Sequence, residues 1–207
     1  MKKVFYLIIN ISLLLILFTS CRLGKQEPVY QIGPAQLTEG QHDIVNLLSR
    51  HNQDNVIFSY RTPSAYTSTE FWIDVYSYGQ LVERIGGLST IRTVYDTTSA
   101  SDSLLVVSVE HGQDNDIRWA MSITDGGGSA SHDWVSFQMT ETAGGRAFGP
   151  MHEPVAIQNG ADIILYMKKF SHGNLTTFSD HQLYLEHPEQ IARYPYVFLV
   201  KARFSAA

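Results

Sequence analysis

Cysteine is all but absent from this chain: Cys21 is the only one in 207 residues. No intramolecular disulfide can form, so stability must come from a packed core, which one domain of this length can supply. Basic residues are also sparse. Fifteen Lys and Arg stand against twenty Asp and Glu, for a formal net charge of −5, and they gather in no long run. That balance lacks the positive stripe selected by nucleic acid or an anionic membrane face, so no nucleic-acid partner is expected. Several catalytic patterns are missing as well. There is no Gly-x-Ser-x-Gly elbow, no Ser-x-x-Lys, no Walker loop and no His-Glu-x-x-His; His152-Glu153 is followed by Pro154, which would break the helix that the last motif needs. Helix-length apolar periods do not alternate with strand patterns, which argues against a parallel α/β sheet.

What the sequence does have begins at residue 1. Lys2 and Lys3 precede an apolar run from Val4 to Phe18, interrupted only by Asn10 and Ser12, and small residues follow at Thr19 and Ser20. A charged start, an apolar stretch and small residues before a cut describe a secretory signal. The run is about 15 residues, short of the roughly 20 that span a bilayer as a helix.

The segment Leu17-Phe18-Thr19-Ser20-Cys21 resembles the processing box of bacterial lipoprotein precursors, with Phe18 standing where leucine is usual. The resemblance implies cleavage after residue 20, a diacylglyceryl thioether on Cys21, and a mature chain anchored by its acyl chains. A thiol suits that alkylation because it is the strongest nucleophile among the side chains. Two acyl chains hold durably where one binds reversibly. Loss of Lys2 and Lys3 with the signal takes the net charge from −5 to −7. The implied location is the extracytoplasmic face of the cell membrane or the outer membrane. Arg22 after the cysteine is not the aspartate that resembles an inner-membrane retention signal.

The expected organisation is a signal peptide over 1–20, a lipidated cysteine and tether over 21–36, and one β-rich domain over 37–207. Aromatics at 12% and abundant β-branched residues favour strands. One helix is expected after Thr38, where Gln41 three residues on completes a capping box and Ile44, Val45, Leu47 and Leu48 share one side. The rest reads as eight or nine strands. Glu70 to Ile85 is a hairpin turning at Ser77-Tyr78-Gly79-Gln80, with Phe71, Ile73 and Val75 inward and Trp72, Asp74 and Tyr76 outward. Gly86-Gly87 is read as a break before Leu88 to Val94. Ser103 to Val109, Ile117 to Ile123 (Ile117, Trp119, Met121 and Ile123 inward), Trp134 to Met139, Ala161 to Met167 and Tyr196 to Phe204 are further strands. Residues 125–133 and 140–150 are read as loops, and Asn159-Gly160 as a tight turn between Val155 to Ile157 and the next strand. The fold class is mainly β: an antiparallel β-sandwich, Ig-like or related, with one N-terminal helix. A barrel is the alternative. The stretches Glu70 to Ser89 and Trp119 to Ser131 are similar to uncharacterised domains of Gram-positive surface lipoproteins, a resemblance that implies no activity.

Candidate sites are few. Trp72, Tyr76 and Tyr78 could form an aromatic binding surface on the first hairpin. Asp74 with Glu83, or His152 with Glu153, could supply paired carboxylate or acid–base groups for hydrolysis. His132, His152, His172, His181 and His187 fall in the second half, but their spacing matches no metal-ligand pattern. Asp114-Asn115-Asp116 offers oxygen ligands without the glycine and distal glutamate of a calcium loop. Gly126-Gly127-Gly128-Ser129 joins two strands and opens no helix, so it lacks the dipole that strengthens anion sites. No cofactor, metal site or catalytic residue is expected. The leading expectation is a membrane-tethered, non-enzymatic binding or accessory module for a small-molecule ligand or an envelope protein. Alternatives are an envelope-polymer hydrolase and a ligand- or metal-sensing lipoprotein.

Overall fold

A computed structural model describes residues 30–48, 53–63, 65–91, 103–112, 115–125, 128–173 and 181–206. The signal, Cys21, His51 and Asp114 lie outside the described residues, as does the Gly126-Gly127 pair. Among the described residues no helix is long and apolar enough to cross a membrane.

Two antiparallel sheets pack face to face. One holds six strands in the order β7-β6-β5-β2-β1-β9: β1 (Gln31–Pro34), β2 (Gln53–Tyr60), β5 (Ser103–His111), β6 (Asp116–Asp125), β7 (Gly128–Gln138) and β9 (Val155–Ala156). The other holds five in the order β4-β3-β11-β10-β8: β3 (Tyr66–Ser77), β4 (Gln80–Ile91), β8 (Gly145–Pro150), β10 (Asp162–Ser171) and β11 (Tyr196–Ala206). The fold is therefore mainly β, an antiparallel sandwich. Helix α1 (Glu39–Leu48) starts where Thr38 predicts. The Thr38 backbone N–H donates to Gln41 Oε1 at 2.9 Å and the Gln41 N–H donates to Thr38 Oγ1 at 3.4 Å, a reciprocal cap.

Apolar alternation builds the core. Ile117, Trp119, Met121 and Ile123 of β6 and Phe71, Ile73 and Val75 of β3 are all buried between the sheets. Trp119 stacks on Phe198 (5.6 Å between centroids) and meets Tyr166 edge-on at 5.9 Å, tying β6 to β11 and β10 across the interface. Tyr60, Phe71 and Phe204 form a second aromatic group. Ring pairs of this kind add about 0.5–1.5 kcal/mol each beyond the area they bury.

Several expectations need correction. Residues 31–34 are not tether: Ile32 is fully buried and β1 pairs with both β2 and β9. Gly86-Gly87 does not end a strand. Both residues oppose Trp72 alone in a β-bulge, with Gly86 at φ +61°, and β4 continues to Ile91. Most of 125–133 is strand, because β6 and β7 close a hairpin on Asp125 and Gly128. Gly145–Pro150, read as loop, is the edge strand β8. Asn159-Gly160 is a turn, with Gly160 at φ +71°, but it carries the chain from β9 in one sheet to β10 in the other instead of closing a hairpin. Eleven strands, not eight or nine, are present among the described residues.

The outer face of the five-stranded sheet is covered over β10 and β11. A short helix α2 (Leu183–Glu186) and the 3-10 turn Pro188–Ile191 lie over it, and Tyr184, Ile191 and Tyr194 pack on Ile164, Met167, Val197 and Leu199. β11 is consequently buried on both faces over Tyr196 to Lys201.

Candidate binding site

Charged groups inside a sandwich cost free energy unless paired, so the buried ones mark places to look. Lys168 is the most unusual. Its side chain is 0% exposed and faces the space between the sheets, because Lys168 lies opposite Phe198 in register. Its Nζ donates to Asp54 Oδ2 at 3.2 Å, across the sandwich from β10 to β2, and sits 4.6 Å from the Phe148 ring centre. Burial pushes the Lys168 ammonium down from 10.5 to about 8; Asp54 opposes that shift and Arg146 adds to it.

His111, at the end of β5, belongs to the same neighbourhood. Burial, then the positive fields of Lys168 and Arg146, hold its imidazole down at about 4, so it is neutral at pH 7. Its Nε2 is buried and finds no hydrogen-bond partner among the described residues. The Tyr166 hydroxyl is likewise buried without a partner, and burial raises its ionisation well above the ordinary phenol value. Such orphaned atoms are uncommon and call for a ligand, a water or a functional reason.

Beside this cluster, at the end of the sandwich where β5 turns into β6 and β8 begins, lies a cavity of about 330 Å³. His111 and Arg146 line it together with Asp116, and Ile117, Met139 and Phe170 supply apolar wall. Its size is at the lower end of the roughly 300–1,000 Å³ typical of small-molecule sites. Arg146 is exposed and makes no ion pair or hydrogen bond among the described residues. Asp116 at the rim is engaged by Arg118 at 3.5 Å, which also reaches Glu110 at 3.6 Å. Of the charges facing the inter-sheet space here, Lys168 is answered by Asp54 and Arg146 by nothing among the described residues.

The residues singled out from sequence are dispersed. Trp72 is only 4% exposed, its ring flanked by the guanidinium groups of Arg84 (4.8 Å) and Arg203 (5.2 Å). Tyr76 packs against the cluster beneath α2 and takes a hydrogen bond from Lys201 Nζ at 3.2 Å. Tyr78 alone is open, at 47%, and donates to Glu141 Oε2 at 2.9 Å; that bond raises its phenol ionisation. The three therefore form no single surface. Asp74 does not pair with Glu83. It stands opposite Arg84, which donates to it at 2.7 Å, and Lys201 approaches at 3.0 Å. Burial would raise the Asp74 carboxyl, but the bonds from Arg84 and Lys201 hold it below the usual value. A carboxylate so fixed in its charged form is a poor general acid.

The loop histidines also separate. His152 and His181 meet edge-on, 6.0 Å apart, beside a second cavity of about 340 Å³, and His181 Nε2–H donates to the Gly149 carbonyl at 3.0 Å. His172 lies 3.2 Å from Glu141, His187 3.2 Å from Glu189, and His132 bonds the Asp133 carbonyl. Among the described residues no three His, Cys, Asp or Glu side chains are grouped to hold a metal ion.

Against known proteins, the YgaN domain family matches residues 31–204, which takes in both sheets from β1 through Phe204 of β11. The chain belongs to the YgaN domain family. No curated protein and no solved structure matches it. The match starts at the first residue of β1, in accord with the placement of 31–34 inside the YgaN domain and not in a tether.

The sequence reading missed Lys168, Asp54, His111 and Arg146. A usable signal was present in Tyr166-Met167-Lys168-Lys169-Phe170, where two adjacent lysines stand inside an aromatic strand pattern. In a sheet covered on both sides, adjacent lysines must bury one head on each face. Lys169 does point the other way, to the Tyr194 hydroxyl at 3.4 Å.

Proposed function

We propose that this chain is a lipid-anchored, non-enzymatic binding module on the extracytoplasmic face of the cell envelope, and that its domain takes a small ligand in the cavity beside His111 and Arg146. The observation that carries the binding half is that cavity, whose wall holds a guanidinium without a carboxylate partner among the described residues. The anchor rests on Leu17 to Cys21 and its resemblance to lipoprotein precursors. The membrane is then one partner, through the acyl chains on Cys21, and the ligand the other. A hydrolase built on Asp74 has less support, since Asp74 is buried between Arg84 and Lys201 with no second carboxylate paired to it among the described residues. Metal sensing has less support because the five histidines occupy four separate places.

The test of the anchor is metabolic labelling of the full-length chain with an alkyne fatty acid, followed by mass measurement of the mature protein. The expected result is a chain beginning at Cys21 and carrying acyl groups, with label lost in Cys21→Ala. A wild-type chain that takes no label, or a mature N-terminus elsewhere, would overturn it.

A further inference from the structure

From the charge and shape of the cavity at the β5–β6 end we infer that its ligand is a small organic carboxylate, held by the Arg146 guanidinium against the apolar wall of Ile117, Met139 and Phe170. The inference rests on the binding half of the reading above and adds the ligand's chemistry.

Three observations point the same way. Arg146 lines the cavity and has neither ion pair nor hydrogen bond among the described residues, in a protein whose net charge is −5. Arginine's planar fork suits a carboxylate, which it can grip with two parallel hydrogen bonds. Among the described residues the one acid in the wall, Asp116, is turned to Arg118 and does not neutralise Arg146. Next, His111 in the same wall keeps a buried Nε2 without a partner among the described residues. A neutral imidazole beside Arg146 adds no second charge to the site. Finally, beside the polar Asn115 and Asp116 and the glycine backbone, the wall holds the apolar side chains of Ile117, Met139 and Phe170. A purely inorganic anion would leave that wall unused, whereas a carboxylate with a short aromatic or aliphatic body covers it. The volume of about 330 Å³ admits a body of that size.

The experiment is calorimetric titration of the full-length chain in mild detergent with phenylacetate, its neutral analogue phenylacetamide, and inorganic phosphate. Phenylacetate is expected to bind at least roughly tenfold more tightly than phenylacetamide, the worth of one charge-assisted contact, and more tightly than phosphate. Arg146→Gln is expected to erase that preference, with Arg146→Lys, which keeps the charge but loses the fork, falling between. Arg146 is exposed, so both variants are expected to melt like the wild type. Equal affinity for acid and amide overturns the carboxylate assignment while leaving a binding cavity. Phosphate bound as well as phenylacetate overturns the role of the apolar wall. No binding of any probe at 20-fold molar excess over a roughly millimolar affinity overturns the assignment and the binding reading together. None of these results touches acylation at Cys21, which the labelling experiment reads separately.

Discussion

Lys168→Met should make this protein more stable at neutral pH, although it removes an ion pair. The lysine head is fully buried, whereas its partner Asp54 keeps 30% of its side chain exposed, so the two ends of the pair carry unequal burial costs. The ammonium is depressed from 10.5 to about 8, chiefly by burial. At about 1.4 kcal/mol per pH unit, holding the charge at pH 7 costs about 3 kcal/mol relative to the unfolded chain. Methionine has similar length and no charge. It abolishes that cost, forfeits the contact with Phe148, and leaves Asp54 to water for about 1 kcal/mol. The net expectation is a gain of about 1–3 kcal/mol, seen as a higher urea midpoint with an unchanged slope. Asp54→Asn cuts the same contact from the other side and strands the buried lysine, so it should cost about 2–4 kcal/mol. The pH dependence gives an internal control. Between about pH 8 and 10.5 the unfolded chain binds more protons than the folded one, so wild-type stability rises through that window. Lys168→Met lacks that rise, and its advantage should vanish above pH 10.5. A loss of more than about 1 kcal/mol at pH 7, or an advantage that persists at high pH, would refute the argument that burial outweighs pairing here.

Two further outcomes follow from the charged groups. Asp74→Asn should cost about 3–5 kcal/mol by thermal unfolding, because it leaves the buried Lys201 head without a counter-charge; a cost under about 1 kcal/mol would mean that Tyr76 and solvent suffice for Lys201. His111, held at about 4 against 6.5 in the unfolded chain, should make the wild type lose stability as pH falls from 6.5 toward 4. The full shift corresponds to about 3 kcal/mol, which solvent screening of a half-buried ring reduces to roughly 1–2 kcal/mol, and His111→Gln should flatten urea midpoints across that window.

Much of the fold was legible because the signals were local. The Thr38–Gln41 cap, the Tyr78-Gly79 turn and the alternation of Ile117 to Ile123 each depend on residues within a few positions of one another. The strands that were missed, β1, β8 and most of β7, are short or rich in small and polar residues (Gln-Ile-Gly-Pro, Gly-Arg-Ala-Phe-Gly-Pro, Gly-Ser-Ala-Ser-His-Asp), and their strand state comes from their pairing partners. Faces were harder than strands. Trp72, Asp74 and Tyr76 do share the face opposite Phe71 and Val75, but groups distant in the chain cover it: Arg203 on Trp72, Lys201 on Asp74 and the cluster beneath α2 on Tyr76. The candidate site was not legible at all, since Asp54, His111, Arg146 and Lys168 come from four strands of two sheets.

The sequence alone determined that the domain would be β-rich and disulfide-free, with a helix beginning at Thr38 and a core built on alternating Ile, Val, Phe and Trp; these follow from side-chain period and turn chemistry. Only the tertiary structure decided where the charges go. In β10, Ile164 pairs with Lys201 and Tyr166 with Val200, so Leu165 is one residue too many for the ladder. That single bulge shifts the phase of everything after it, because strand side chains alternate with period two. It turns Tyr166, Lys168 and Phe170 inward, toward Asp54 and the cavity, and sends Met167 and Lys169 to the face beneath Tyr194. No local rule distinguishes Lys168 from its neighbour; the register of the partner strand does.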